Sequence, residues 1–205
     1  MCGRFAVTLP PEAMAQIFDA IPANDLPDVP NMDVRPTTQI ATIRTDEAGT
    51  RRLAPMRWGF LPHWYDDVKG GPLLINARAE TVADKPAFRA AARERRCLIP
   101  SSGFYEWLRF EDGRKQPYLI TRSDGAPLVM AGIWQVWERG DTHLVTCAIV
   151  TTEAEGRMAE IHNRMPVIVE PDDWPLWLGE EGKGAARLMR AAPEGTLAFE
   201  ERAPG

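Results

Sequence analysis

The sequence predicts one α+β domain over residues 1–205, with an antiparallel or mixed sheet curled into a barrel-like core flanked by short helices. Three observations lead there. Short runs of alternating or β-branched residues recur along most of the chain, separated by turn segments such as "EDGRK" and "DGA". Helical periodicity is confined to brief stretches between them. No repeat, low-complexity block or long linker divides the 205 residues into two cores. Hydrophobic content of 44% and charged content of 26% suit a globular chain able to bury a core.

Phe5 and the following "AVTL" read as a first strand. Pro10-Pro11 opens a helix that places Met14, Ile17 and Phe18 on one face. Residues 22–37 contain Pro22, Pro27, Pro30 and Pro36 and read as an irregular connection, because proline lacks the N–H that either ladder needs. "TQIATIRT" alternates like a strand and "DEAGT" is a turn. "RRLAPMRWGFLPHW" is partly strand, with an aromatic end at Trp58, Phe60 and Trp64. "YDDVKGGP" is a polar loop.

Leu73–Ile75 reads as a short strand and roughly 86–96 as a helix, a region where Lys85, Arg89, Arg93, Arg95 and Arg96 face a single acid, Glu94. "CLIPSSGFYEWLRF" is strand, turn, strand, and "EDGRK" is a hairpin-type turn. "QPYLITRS", "PLVMAGIWQVWE" and "THLVTCAIVTT" are further strands. "EAEGRMAEIHNRMPVIV" is a short helix, a polar knot and a strand. "PDDWPLWLG" opens another helix, and residues 180–205 read as a polar tail.

Composition narrows the function classes. No apolar run approaches the length of a membrane helix, and the N-terminus lacks a basic-then-apolar signal pattern, so a cytoplasmic protein is expected. Three cysteines without CxxC spacing argue against a disulfide framework and against structural zinc. Cys97 and Cys147 lie in apolar runs and are expected to be inert core thiols. A net charge of −5 does not advertise nucleic-acid binding, which would need local basic clustering. Nothing points to a metal or organic cofactor.

Four polar clusters sit in apolar surroundings, where unpaired polar groups are costly. In "MCGRF", removal of Met1 would leave Cys2 with an α-amine beside its thiol. At neutral pH roughly a fifth of such amines are uncharged and nucleophilic. An amine next to a thiol matches an aldehyde: imine formation, then thiol addition, closes a five-membered thiazolidine. The plain alternative is a small apolar residue in a first strand. On a strand, Arg4 would share the face of Cys2 and favour a thiolate or an incoming phosphate. In "INARAET", Asn76 and Arg78 are either site residues or a turn cap and a solvated charge. In "GFYEW", Glu106 is paired to a cation, or carries the raised pKa of a general acid, or both. In "HNRMPVI", His162 is the one histidine inside a polar triplet, with Asn163 and Arg164, ahead of an apolar strand; His63 and His143 read as loop or exposed positions.

Taken in order, "MCGRF", "INARAET", "GFYEW" and "HNRMPV" resemble the SRAP family, the SOS-response-associated peptidase domain, most strongly over residues 2–170. The resemblance implies a monomeric bacterial protein that shields abasic sites in single-stranded DNA through a covalent crosslink. It implies Cys2 as nucleophile and Asn76 as the residue orienting the N-terminus and the sugar. It implies Glu106 as general acid/base and His162 as the hydrogen-bond partner of the opened sugar. Arg4, Arg78 and Arg164 would grip phosphates, and Trp58 and Trp64 would offer a wedge or stacking surface or belong to the core. The chain departs from the family pattern at "MDVRPT", where Asp33 stands for the usual Asn and Arg35 for a small residue; Arg35 would add a phosphate contact. Two other readings compete: a cysteine peptidase using Cys2 and His162 with Asn76 or Glu106, its limited form the autocatalytic removal of Met1, and a non-covalent binder of modified or single-stranded DNA.

Overall fold

The computed structural model describes residues 2–203. The expected removal of Met1 therefore lies outside the described residues. The chain begins with strand β1 (Phe5–Val7) and helix α1 (Pro11–Phe18). Pro11 at the first helical position has the φ a helix start needs. Met14 and Phe18, four apart, bury the inner face, whereas Ile17 is 42% exposed on so short a helix. Strands β2 (Ile21–Pro22) and β3 (Asn31–Val34) follow in the proline-rich segment expected to be irregular. β3 forms there because β1 presents an edge for it to pair with, Phe5 opposite Val34.

The next elements are β4 (Gln39–Thr45), β5 (Arg51–Trp58) and β6 (Asn76–Arg78). β6 starts where the predicted strand at 73–75 was expected to end. Helix α2 (Arg89–Glu94) is shorter than predicted, because Arg96 is drawn into β7 (Arg96–Ser101) opposite Ile133. β8 (Gly103–Arg109), β9 (Lys115–Arg122), β10 (Leu128–Arg139) and β11 (Thr142–Glu153) then run as expected. Helix α3 (Gly156–Ile161), β12 (Arg164–Pro166) and helix α4 (Trp174–Leu178) follow. The tail is not merely polar: β13 (Leu197–Glu201) pairs with β9.

Strands β11, β10, β7, β4 and β5 are antiparallel neighbours in that order. β5 then pairs in parallel with β11, Cys147 opposite Trp58, and closes the ring. Closure removes the free edges that such strands would otherwise expose. A second sheet, ordered β13-β9-β8-β1-β3, carries the N-terminus.

Alternation along the barrel strands sorts the apolar side chains into two clusters. One gathers Leu98, Ala131 and Val150 with Phe18, Ala91 and Trp177 of the helices. The other gathers Ile99, Met130 and Ile149 with Cys2, Phe5 and Phe104 of the second sheet. The buried indoles Trp174 and Trp177 donate to the carbonyls of Val169 and Cys97 at 3.0 and 2.8 Å. Gly132 permits a close approach, since a Cβ there would lie 2.7 Å from Cys97 Sγ. Cys97 and Cys147 are fully buried, in agreement with their expected core role. Among the described residues no helix is long and apolar enough to cross a membrane.

Candidate functional site

The site is assembled by strand pairing. β1 runs antiparallel to β8, with Phe5 opposite Phe104, and the Tyr105 N–H donates to the Arg4 carbonyl at 2.9 Å. Cys2, three residues ahead of Phe5, lies close enough to Glu106 for that carboxylate's charge to act on its thiol. Cys2 is fully buried, and Glu106 is 4% exposed between the half-buried Tyr105 and Trp107. The period of two explains this split: Glu106 points inward while its neighbours point outward. Burial, and next the negative charge of Glu106, push the Cys2 thiol well above its usual pKa.

β6 brings Asn76 to the same place by pairing in parallel with β11, Asn76 opposite Ile149. The Asn76 side-chain amide donates to the Cys2 carbonyl at 3.0 Å. Its Oδ1 is buried and accepts no hydrogen bond among the described residues. Helix α3 packs on β8, the strand of Glu106, and its Met158 and Ile161 share the apolar cluster of Cys2. His162 ends that helix. The Arg164 N–H donates to His162 Nδ1 at 3.0 Å, so a neutral imidazole making this bond carries its proton on Nε2.

Several expected roles change. The Arg4 guanidinium sets no charge beside the thiol; what favours the thiolate there is the Arg4 backbone N–H, against the larger opposing effects of burial and Glu106. The guanidinium turns outward, donating to Asp33 at 2.5 Å and lying over the rings of Tyr105 and Trp107 at 5.2 and 5.9 Å. The regular strand starts only at Phe5, so the two-residue face rule does not reach back to Cys2. Arg164 is no free phosphate grip. Its Nη1 and Nη2 donate to the two oxygens of Glu80 at 2.9 Å each, and Nη2 also donates to the Thr151 carbonyl at 2.8 Å. With Nη1 and Nη2 so engaged and its side chain 11% exposed, it braces the segment that presents His162, although its buried Nε finds no acceptor among the described residues.

Trp58 is no stacking surface. It is fully buried against Phe5, with ring centroids 5.1 Å apart, and donates to the Ile75 carbonyl at 2.9 Å. It thus underpins both β1 and the entry to Asn76. Trp64, by contrast, is 45% exposed in the connection between β5 and β6. Arg78 is exposed and makes no ion pair among the described residues. Arg35 is exposed and pairs with Asp33 at 2.9 Å.

Two acids were missed as site residues. Asp33 holds both Arg35 and Arg4, and these contacts keep its carboxyl below the usual range. Glu80 is held at a pKa of about 2, first by the Arg164 hydrogen bonds. The signal for Glu80 was its place in "INARAET", one acid beside Arg78 among small residues. Among the described residues no three His, Cys, Asp or Glu side chains gather as a metal site.

The arrangement joins a thiol, a carboxylate that acts on it and an amide fixing the backbone of residue 2, with a histidine at the end of the helix that packs on the carboxylate's strand. Such a set supplies groups that can give and take protons at residue 2.

The SOS response associated peptidase (SRAP) family model matches residues 1–201, and so reaches through β13. The chain is 38% identical over 182 residues to the abasic site processing protein YoaM of Bacillus subtilis, a match covering 87% of this chain and 79% of that one. It is 33% identical over 195 residues to the abasic site processing protein YedK of Escherichia coli, covering 92% and 85%. A crystal structure of a Bordetella bronchiseptica protein superposes with a TM-score of 0.84 at 26% identity, covering 99% of this chain and 100% of that one. By motif, fold and sequence, the chain belongs to the SOS response associated peptidase (SRAP) family.

Proposed function

We propose that this protein captures abasic sites in single-stranded DNA as a covalent crosslink on Cys2. The observation that carries the reading is the Asn76 amide bonded at 3.0 Å to the Cys2 carbonyl, with Glu106 buried alongside. Residue 2 is held by its backbone at a carboxylate, which suits chemistry at its nitrogen as well as its sulfur. The relatives named as abasic site processing proteins support the substrate.

The reaction balances without a redox partner. Hydrolysis of the Met1–Cys2 bond consumes one water and frees the Cys2 amine. The amine attacks the aldehyde carbon of the ring-opened deoxyribose, and loss of one water gives the imine. The thiol sulfur adds to the imine carbon, its proton passes through the Glu106 carboxylate to the nitrogen, and the thiazolidine closes. Glu106 serves as general base and then acid, the limited self-processing step at Met1 included. His162 offers its Nε2 proton to the opened sugar oxygen. Arg4, Arg35 and Arg78 position phosphates without reading sequence, and Trp64 offers a face to a flanking base. A neutral, buried thiol suits capture led by the amine better than a peptidase that needs a ready thiolate on an open cleft. In a bacterial cell the bound protein would sit on the nucleoid.

The test is intact mass of the purified protein before and after incubation with an oligonucleotide bearing one abasic site. The expected result is a chain lacking Met1 and an adduct at the summed mass less one water. Cys2→Ala should abolish the adduct. An undiminished adduct in that variant would overturn the thiazolidine.

A further inference from the structure

The basic run around α2 has no part in the chemistry at Cys2, yet the fold gives it a concavity. A cavity of about 400 Å³ lies between α2 and the loop at 182–184 and contains none of Cys2, Asn76, Glu106 or His162. Its apolar floor includes Val82, Ala92, Ala185 and Met189. Arg89 and Arg93, four apart on α2, share one face and line it together. Lys183 closes the opposite rim from a bend held by Gly182 at φ +87° and Gly184 at φ +124°, values that side-chain-bearing residues rarely adopt.

The charges of this cavity are not balanced from within. Arg89, Arg93 and Lys183 are exposed and make no ion pair among the described residues. Arg96 adds a fourth cation at the back, its Nε and Nη1 spent on the carbonyls of Trp177, Ala92 and Arg93. Glu80 is the one lining acid, and Arg164 already neutralises it at 2.9 Å. Mutually repelling cations in a concavity favour an anion, and guanidinium groups fit phosphate oxygens in pairs. A volume of a few hundred Å³ over an apolar floor is the size and character of a small organic ligand's site.

We propose that this cavity binds a nucleotide unit, its phosphate on Arg89, Arg93 and Lys183 and its base or sugar against the apolar floor. Two sources share this chemistry: a free mononucleotide, and a nucleotide of the strand engaged at Cys2. The second source rests on the proposed DNA engagement; the first does not. Glu80 ties the cavity to the site, because it lines the one and holds Arg164, the brace of His162, in the other.

The test is calorimetric titration of the full chain carrying Cys2→Ala, so that no covalent step contributes and failure of the capture chemistry leaves the readout intact. The probes are deoxyadenosine monophosphate, inorganic phosphate and an intact oligothymidylate. Adding Arg89→Ala with Arg93→Ala should weaken at least one nucleotide-bearing probe about tenfold or more, through loss of charge-assisted contacts. Weakening of the mononucleotide assigns a free ligand; weakening of the oligonucleotide alone assigns the strand. Lys183→Ala, on an exposed loop, gives the same reading if the double variant melts early. Unchanged affinity for both nucleotide probes overturns the site. Inorganic phosphate bound as tightly as the mononucleotide overturns the role of the apolar floor and with it the nucleotide.

Discussion

Cys2 and the pair Cys97 and Cys147 form a natural comparison. All three are fully buried, and burial is the leading reason why each thiol is pushed well above its ordinary pKa. Their surroundings differ. Cys97 and Cys147 sit within β7 and β11, with carbonyls that accept from Trp177 Nε1 and the Gly59 N–H at 2.8 and 2.9 Å. Cys2 lies ahead of the first strand, with a side-chain amide on its carbonyl and a carboxylate beside it. Burial alone therefore does not mark a reactive thiol. The mark is a polar set built around the backbone of one residue that lies at the edge of the ladder.

The sharpest way to break this contrast is to remove the carboxylate. Glu106→Gln should slow adduct formation by about 100-fold or more at neutral pH, the scale of a lost general acid/base, in a quenched time course on a denaturing gel. An unchanged rate would leave Asn76 as the feature that separates Cys2 from the core thiols.

A smaller effect tests the brace behind His162. Glu80→Ala leaves the guanidinium of Arg164, a side chain 11% exposed, without its carboxylate. We expect a stability loss of about 1–3 kcal/mol in denaturant melts, from buried donors left unpaired. The sign with pH is fixed. The folded pKa of Glu80, about 2, lies below the ordinary value of 4.5, so its contribution is complete above pH 4.5 and lost as pH falls toward 2. The melting temperature of the parent should fall faster than that of the variant across that window. Parallel curves would show that Glu80 does not feel Arg164 in solution.

The smallest expected effect lies on the outward side of the same strands. Asp33 holds Arg4 and Arg35 at 2.5 and 2.9 Å, so a phosphate must compete with it. Asp33→Asn should tighten binding of intact single-stranded DNA about two- to fivefold and steepen the salt dependence by up to about 0.7 per added phosphate contact. Fluorescence anisotropy over a salt series reads both. Unaltered slopes would mean that neither arginine meets a phosphate.

Much of this was legible in the chain. The strands of "CLIPSSGFYEWLRF" and "THLVTCAIVTT", the hairpin turn at "EDGRK" and the short helix before His162 follow from local pattern. So do the polar clusters at Cys2, Asn76, Glu106 and His162, because polar residues in apolar runs announce themselves. What stayed hidden depends on partners far along the chain. Trp58 and Trp64 look alike in sequence, yet one lies under Phe5 and the other faces solvent, a choice made by β1 and by the ring closure of β5 on β11. β3 and β13 lack a strong pattern of their own and exist because β1 and β9 offer them edges.

By itself, then, the sequence determined an α+β chain of short strands, three cysteines and four polar clusters. The tertiary structure decided which charges are spent. Arg164 meets Glu80 across 84 residues, and Arg4 meets Asp33 across 29. Ion pairs of that span leave no periodic trace, since they depend on which strands become neighbours and not on spacing along any one of them.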